Sequence, residues 1–390
     1  MRPINLALNG SSLLTPHTGI ASYTRNLALA LRESGEAEPM LFYGIGWSSE
    51  IRSSPLRGAG SLKDAILKLI PRPYWLKRLG IQQRRFDAGM RTRAFDVYHE
   101  PAFLPFRFAG PIVITIHDLS PLRYPETHPA ERVQNFRRYL PDAIERAARI
   151  IVDSEFVGRE LIEMFRVDPA RVCPIHLGVS PEYRPRTAAE VAGCLARYGL
   201  QYGQYVFAVG TLEPRKNLIQ GIDAHSRLPE AARKRAPLVV AGTKGWITRE
   251  LEARLDAAER RGDVRWLGYV PAEDLPLLYS AARFLVYPSI YEGFGLPVLE
   301  AMASGIPVIT SNRASLPEVS GDVGVAVDPE DVEGLRTCMR SLIEDKKEAA
   351  RRGSLGIARA GRFTWQACAK QTLAVYKKAI DGQRSASLDH

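Results

Sequence analysis

Short apolar runs recur along nearly the whole chain, at 4–7, 40–43, 96–99, 112–116, 149–152 and 172–175, then at 205–209, 238–241, 264–267, 284–287, 308–310 and 325–327. Helix-length segments separate them. Runs of this length read as buried strands, and their alternation with helices predicts parallel sheets covered on both faces. With 390 residues the chain exceeds a typical single domain. The pattern therefore predicts an α/β protein built from two doubly wound domains, over 1–180 and 198–362. Pro181, Pro185 and the polar stretch before Val191 put the linker around 178–203. The last segment, 365–380, reads as a helix carrying Ala367, Leu373, Tyr376 and Ile380.

Composition narrows the class. No run of about 18 apolar residues occurs, and the first residues lead into a strand-like segment rather than a signal-peptide core, so the expectation is a cytoplasmic, non-spanning protein. Cys173, Cys194, Cys338 and Cys368 are scattered without metal or redox spacing and read as reduced structural thiols. Much of the formal charge of +10 sits between 63 and 93, where nine Lys and Arg face only Asp64 and Asp87. Interleaved Ile66, Leu67, Leu69, Ile70, Tyr74, Trp75, Leu76 and Leu79 make this segment suit either an interfacial helix on anionic lipid or a solvated basic face. No recognised nucleic-acid module accompanies it, and nucleic acid is not expected as a partner.

The chemistry concentrates in 289–309, SIYEGFGLPVLEAMASGIPVI, after the apolar run at 284–287. Pro297 suits the first position of a helix. Gly293 and Gly295 allow close approach of a ligand, and free amides near Leu296 and Val298 would face an anion. Glu292 and Glu300 then flank that anion as hydroxyl acceptors, which suits a sugar and a ribose on either side of a diphosphate. A second motif, VGTLEPRKNL at 209–218, follows the first strand of the second half; its Arg215 and Lys216 could neutralise a leaving diphosphate. His117 and Asp118 stand at the exit of the 112–116 run, where side chains enter a cleft. The 98–101 stretch, Tyr98-His99-Glu100-Pro101, also ends a strand and is expected to line the acceptor side. There is no Asp-x-Asp motif, no His/Cys cluster of ligand spacing and no P-loop, so no metal is expected in the reaction.

The run from Tyr291 to Ile309 resembles the signature of retaining glycosyltransferases of family 4, which have the GT-B architecture of two Rossmann-like domains facing across a cleft. The resemblance implies that Glu292 contacts the donor hexose and Glu300 the ribose, with backbone at Gly293, Phe294, Gly295 and Leu296 holding sugar and phosphate. Gly210, Arg215 and Lys216 match the diphosphate-binding turn, and Tyr269 and Val270 lie where the family packs the nucleotide base. Gly19, in the loop at 15–24, matches a glycine loop closing over the donor phosphate, though the family often has paired glycines there. His117 matches the catalytic histidine motif of the first domain, and a final helix at about 365–385 crosses back to complete that domain. The 212–217 and 117–126 stretches look like those of bacterial mannosyl- and deoxymannosyltransferases. The implied donor is GDP-mannose or GDP-rhamnose, with no cofactor, and the implied acceptor a lipid-linked glycan at the inner membrane face. The alternatives are a UDP-glucose or UDP-N-acetylhexosamine donor and, more remotely, a nucleotide-sugar epimerase or a non-catalytic binder.

Overall fold

The computed structural model describes residues 2–14, 19–52, 78–246 and 248–388. Each apolar run becomes a strand, and the strands form two sheets. The first contains β1 (Ile4–Asn9), β2 (Ala37–Phe42), β3 (Trp47–Ser48), β4 (Val97–Glu100), β5 (Ile112–Ile116), β6 (Arg149–Val152) and β7 (Val172–Pro174), in the order β3-β2-β1-β4-β5-β6-β7. The second contains β8 (Val206–Val209), β9 (Leu238–Ala241), β10 (Val264–Gly268), β11 (Phe284–Tyr287), β12 (Val308–Ser311) and β13 (Val325–Val327), in the order β10-β9-β8-β11-β12-β13. All pairings are parallel except β2 with β3. Both orders reverse beside their first strand, which is the doubly wound arrangement, with switch points between β1 and β4 and between β8 and β11.

Helices cover both faces because their apolar residues recur at helical spacing. In Gly19–Glu33 the side chains of Tyr23, Leu27, Ala30 and Leu31 are all buried, the two leucines contributing about 1.5–3 kcal/mol each. The terminal helix Trp365–Leu388 crosses from the second sheet and packs on Gly19–Glu33 and on β4, β5 and β6. Tyr376 on that helix is fully buried and bonds His99 Nδ1 at 2.7 Å. The chain passes between the sheets twice, and the passages are tied together by the Val179 amide donating to the Phe363 carbonyl at 3.1 Å.

Two differences from expectation concern the first sheet. β2 begins at Ala37, three residues before its apolar run, because Pro39 has no pairing partner in β3, which meets only Leu41 and Phe42. The basic segment at 63–93 lies outside the described residues as far as 77. Its described end forms the helix Gln83–Met90, whose Phe86 is fully buried among Phe42, Trp47, Tyr98 and Phe106 while Arg84 and Arg85 face solvent. The apolar side of that helix belongs to the core. Among the described residues no helix is long and apolar enough to cross a membrane.

Candidate active site at the facing strand ends

The second switch point carries both motifs. Gly210 directly follows β8, its amide held by the Ala241 carbonyl at 3.0 Å. The turn Pro214–Lys216 follows, and the loop after β11 carries Glu292 into the helix Leu296–Ala303. The pieces interlock: Glu292 Oε1 accepts from Lys216 Nζ at 2.7 Å and from Tyr287 Oη at 2.8 Å, and Glu292 Oε2 pairs with Arg215 at 3.0 Å. Arg215 also pairs with Glu213 at 2.6 Å and donates to the Tyr291 carbonyl. Burial works against the charge on Glu292, but Arg215 and Lys216 outweigh it and pull its carboxyl down to about 2. Burial likewise opposes the charge on Arg215, and Glu292, Asp118 and Glu213 hold its pKa above the ordinary value. The two cations read as neutralising a leaving diphosphate are thus paired with Glu213 and Glu292, and this four-residue set is neutral as it stands.

The loop between the two glutamates is shaped by contacts on both sides. A Cβ on Gly293 would lie 1.8 Å from the His117 carbonyl oxygen, so only glycine lets β5's exit approach this closely. Ser154 Oγ donates to the Gly293 carbonyl at 2.8 Å, and Ser315 Oγ lies 2.8 Å and 2.9 Å from the Glu292 and Phe294 carbonyls. Gly295 has φ +112° and a Cβ there would meet Leu316 at 2.6 Å. Its carbonyl takes the Val298 and Leu299 amides at 3.0 and 3.3 Å, so Val298 is not the free donor expected. The amides of Phe294, Gly295 and Leu296 have no acceptor among the described residues and form the open helix start. The Phe294 side chain turns inward against His176 and Phe363.

Glu300 lies one turn into the helix, partly buried beside Tyr183 and Tyr279. Burial raises its carboxyl to about 7, against the pull of the two hydroxyls. Tyr269, half exposed, and Val270 follow the carboxyl end of the edge strand β10. Gly19 opens the first helix and is exposed; residues 15–18 before it lie outside the described set.

On the first-sheet side, His117 Nδ1 lies 2.7 Å from Asp153 and Nε2 2.9 Å from the Pro101 carbonyl. Burial disfavours its charge, yet Asp153 and the carbonyl raise its pKa. Both ring nitrogens are engaged inside the protein, so the group His117 turns to the second sheet is its carbonyl. The expectation for 98–101 is corrected: Tyr98, His99 and Glu100 are buried, Glu100 accepting from Asn9 at 2.8 Å and Tyr98 at 2.7 Å. His99 is held near 3 by burial and the neighbouring His117, a neutral link between Tyr376 and Thr115. Sequence reasoning missed Tyr287, read only as a strand residue, and placed Asp118 at the cleft without its role, which is a charge acting on Arg215 across the gap. Among the described residues no group of three His, Cys, Asp or Glu side chains is arranged to hold a metal.

Residues 17–183 match Glycosyltransferase Family 4 and residues 201–358 match Glycosyl transferases group 1. O-antigen chain mannosyltransferase B of Escherichia coli is 38% identical over 369 residues, covering 93% of this chain and 96% of that one. The chain belongs to glycosyltransferase family 4. A second relative of this family-4 enzyme, the MMP alpha-(1->4)-mannosyltransferase of Mycolicibacterium hassiacum, is 30% identical over 78% of the chain and 75% of its own. The glycosyltransferase shares its GT-B fold with sucrose-phosphate synthase from Thermosynechococcus elongatus, at 21% identity and a TM-score of 0.75 over 98% and 100% of the two chains.

Proposed function

We propose that this glycosyltransferase moves mannose or deoxymannose (rhamnose), with retention and without a metal, from a GDP-sugar to a hydroxyl of a lipid-linked or growing oligosaccharide, in the manner of O-antigen assembly. The observation that carries the reading is the Arg215, Lys216 and Glu292 cluster beside three open amides. Lys216 is the more accessible cation, with its side chain 18% exposed against 9% for Arg215. On donor binding it turns to the diphosphate and releases one Glu292 oxygen to a hexose hydroxyl. The bond from C1 to the phosphate oxygen then breaks as the acceptor oxygen bonds C1 on the same face, and the leaving phosphate takes the acceptor proton. Arg215, Lys216 and the amides of 294–296 stabilise the departing charge, the His117 carbonyl faces the anomeric carbon, and Glu300 holds the ribose. Glu292 orients the sugar rather than acting as a hydrolase-type acid.

This reading takes 1–180 with the terminal helix as the acceptor-side domain and 198–362 as the donor domain. It seats the enzyme in the cytoplasm at the inner membrane face. The mannosyltransferase relatives support mannose as the sugar transferred. Thermal stability against GDP, UDP, ADP and their sugar conjugates tests it: a ligand at 100 times its dissociation constant stabilises by about 2.7 kcal/mol. Selective stabilisation by GDP and GDP-mannose is expected. A preference for UDP would discard the donor, and no shift with any nucleotide would discard the site.

A further inference from the structure

A closed triangle of hydrogen bonds sits at the end of β11, and the transfer steps leave one of its corners without a task. Lys216 Nζ lies 2.6 Å from Tyr287 Oη, Tyr287 Oη lies 2.8 Å from Glu292 Oε1, and Lys216 Nζ lies 2.7 Å from that same oxygen. The protons fix the directions. An ammonium has no acceptor, so Tyr287 accepts from Lys216, and its own single proton goes to the carboxylate. Burial and the Glu292 charge hold the phenol well above its ordinary value, against the pull of Arg215. The proton therefore stays on Tyr287 at neutral pH.

The two donors to Glu292 Oε1 differ in how freely they can leave it. Lys216 extends on a flexible four-carbon stem from the turn Pro214–Lys216, and its ammonium rests 5.1 Å from the centre of the Tyr287 ring. Tyr287 is the last residue of β11, which lies between β8 and β12 in the interior of the second sheet. It pairs with Thr310 and is only 2% exposed, so its phenol moves with the sheet and not independently of it. When Lys216 turns to the diphosphate, Oε1 loses one of these donors. A buried carboxylate oxygen stripped of its partners pays for desolvation and tends to draw the cation back.

We propose that Tyr287 is a positioning residue: its hydroxyl gives Lys216 a resting place and, once that cation has moved to the diphosphate, holds Glu292 Oε1 in the direction that meets the donor hexose. The inference rests on the proposed transferase reading, in which Lys216 moves and Glu292 takes a hexose hydroxyl. It divides donor recognition in two. The diphosphate needs Lys216, whereas the hexose contact needs the Tyr287 hydroxyl, which acts through Glu292 and not on the reacting atoms.

Calorimetric titration of the full chain with a nucleoside diphosphate and with its sugar conjugate tests this, using the pair that the thermal scan selects, expected to be GDP and GDP-mannose. The ratio of the GDP dissociation constant to that of GDP-mannose reads the hexose contribution. Tyr287→Phe keeps the ring beside Lys216 and removes only the hydroxyl. It is expected to bind GDP at least as tightly as wild type, while the ratio falls about 10- to 100-fold, the worth of a hydrogen bond to a charged group. Turnover with octyl α-mannoside as acceptor should fall by a similar factor. Lys216→Met leaves Tyr287 bonded to Oε1, so it should weaken GDP binding yet keep the ratio of wild type. An unchanged ratio or turnover in Tyr287→Phe, a parallel weakening of GDP and GDP-mannose in it, or a ratio lost in Lys216→Met overturns the proposal. If Tyr287→Phe fails to fold by circular dichroism, the ratio in Lys216→Met decides. A wild-type protein that binds none of GDP, UDP and ADP refutes the transferase reading instead.

Discussion

Glu300→Gln probes the one carboxyl of the site that titrates near neutrality. In the ligand-free protein burial holds Glu300 at about 7, whereas its ordinary value is 4.5. A ribose diol donates to the ionised form and so favours it. About one-tenth of the carboxyl is ionised at pH 6 and about nine-tenths at pH 8, so GDP-mannose should bind about tenfold more tightly at pH 8. The diphosphate of GDP-mannose stays fully ionised over this range, which leaves the titration to the protein. Calorimetry in buffers of different ionisation enthalpy should show close to one proton released per donor bound at pH 6. Without ligand the sign reverses for stability. The native state binds a proton that the unfolded state has already lost, so stability falls as pH rises from 4.5 to about 7, by about 3 kcal/mol in all. Glu300→Gln should abolish both dependences, gaining on wild type in ligand-free stability as pH rises while binding the donor more weakly. A donor affinity flat between pH 6 and 8, or an equal slope in the variant, would refute the assignment.

Other substitutions test the rest of the site. Because Glu292 is buried with three partners, Glu292→Ala should cost about 3–5 kcal/mol in urea unfolding. The isosteric Glu292→Gln should fold and lose at least about 100-fold in turnover, by analogy with the loss of one transition-state contact; near-normal turnover would sink its role. Gly293→Ala drives a methyl into the His117 carbonyl, at a cost of about 1–3 kcal/mol, and should sharply reduce turnover with secondary structure kept; wild-type turnover would mean the sheets need not meet there. Removing the exposed Arg84 and Arg85 should weaken binding to anionic vesicles at low salt by about 1 kcal/mol per charge, and unchanged binding would leave them a solvated face.

The strands were legible because parallel strands buried on both faces are written as unbroken apolar runs, and only the two-residue β3 is too short to leave such a trace. The glutamate pair and the cation pair were legible through local motifs. Their union was not, since Lys216 and Glu292 are 76 positions apart and nothing in either motif states that they pair. Gly293 announced itself as a glycine, but its reason lies in the His117 carbonyl of the other half. The 98–101 stretch misled because a strand exit resembles a cleft wall until Tyr376, 277 positions away, is folded against it.

The double passage between the sheets bears on how this enzyme can be recombined. A chimera that exchanges the half carrying Glu292 and Arg215 cannot be made with a single splice, because the terminal helix would then arrive from the foreign parent and meet His99 and the first helix as a stranger. Two junctions are needed, at the neighbouring connecting segments near 179 and 363, so that Tyr376 stays with the sheet it was selected against. Made there, the exchange keeps the core of the first half intact and confines every new contact to the cleft.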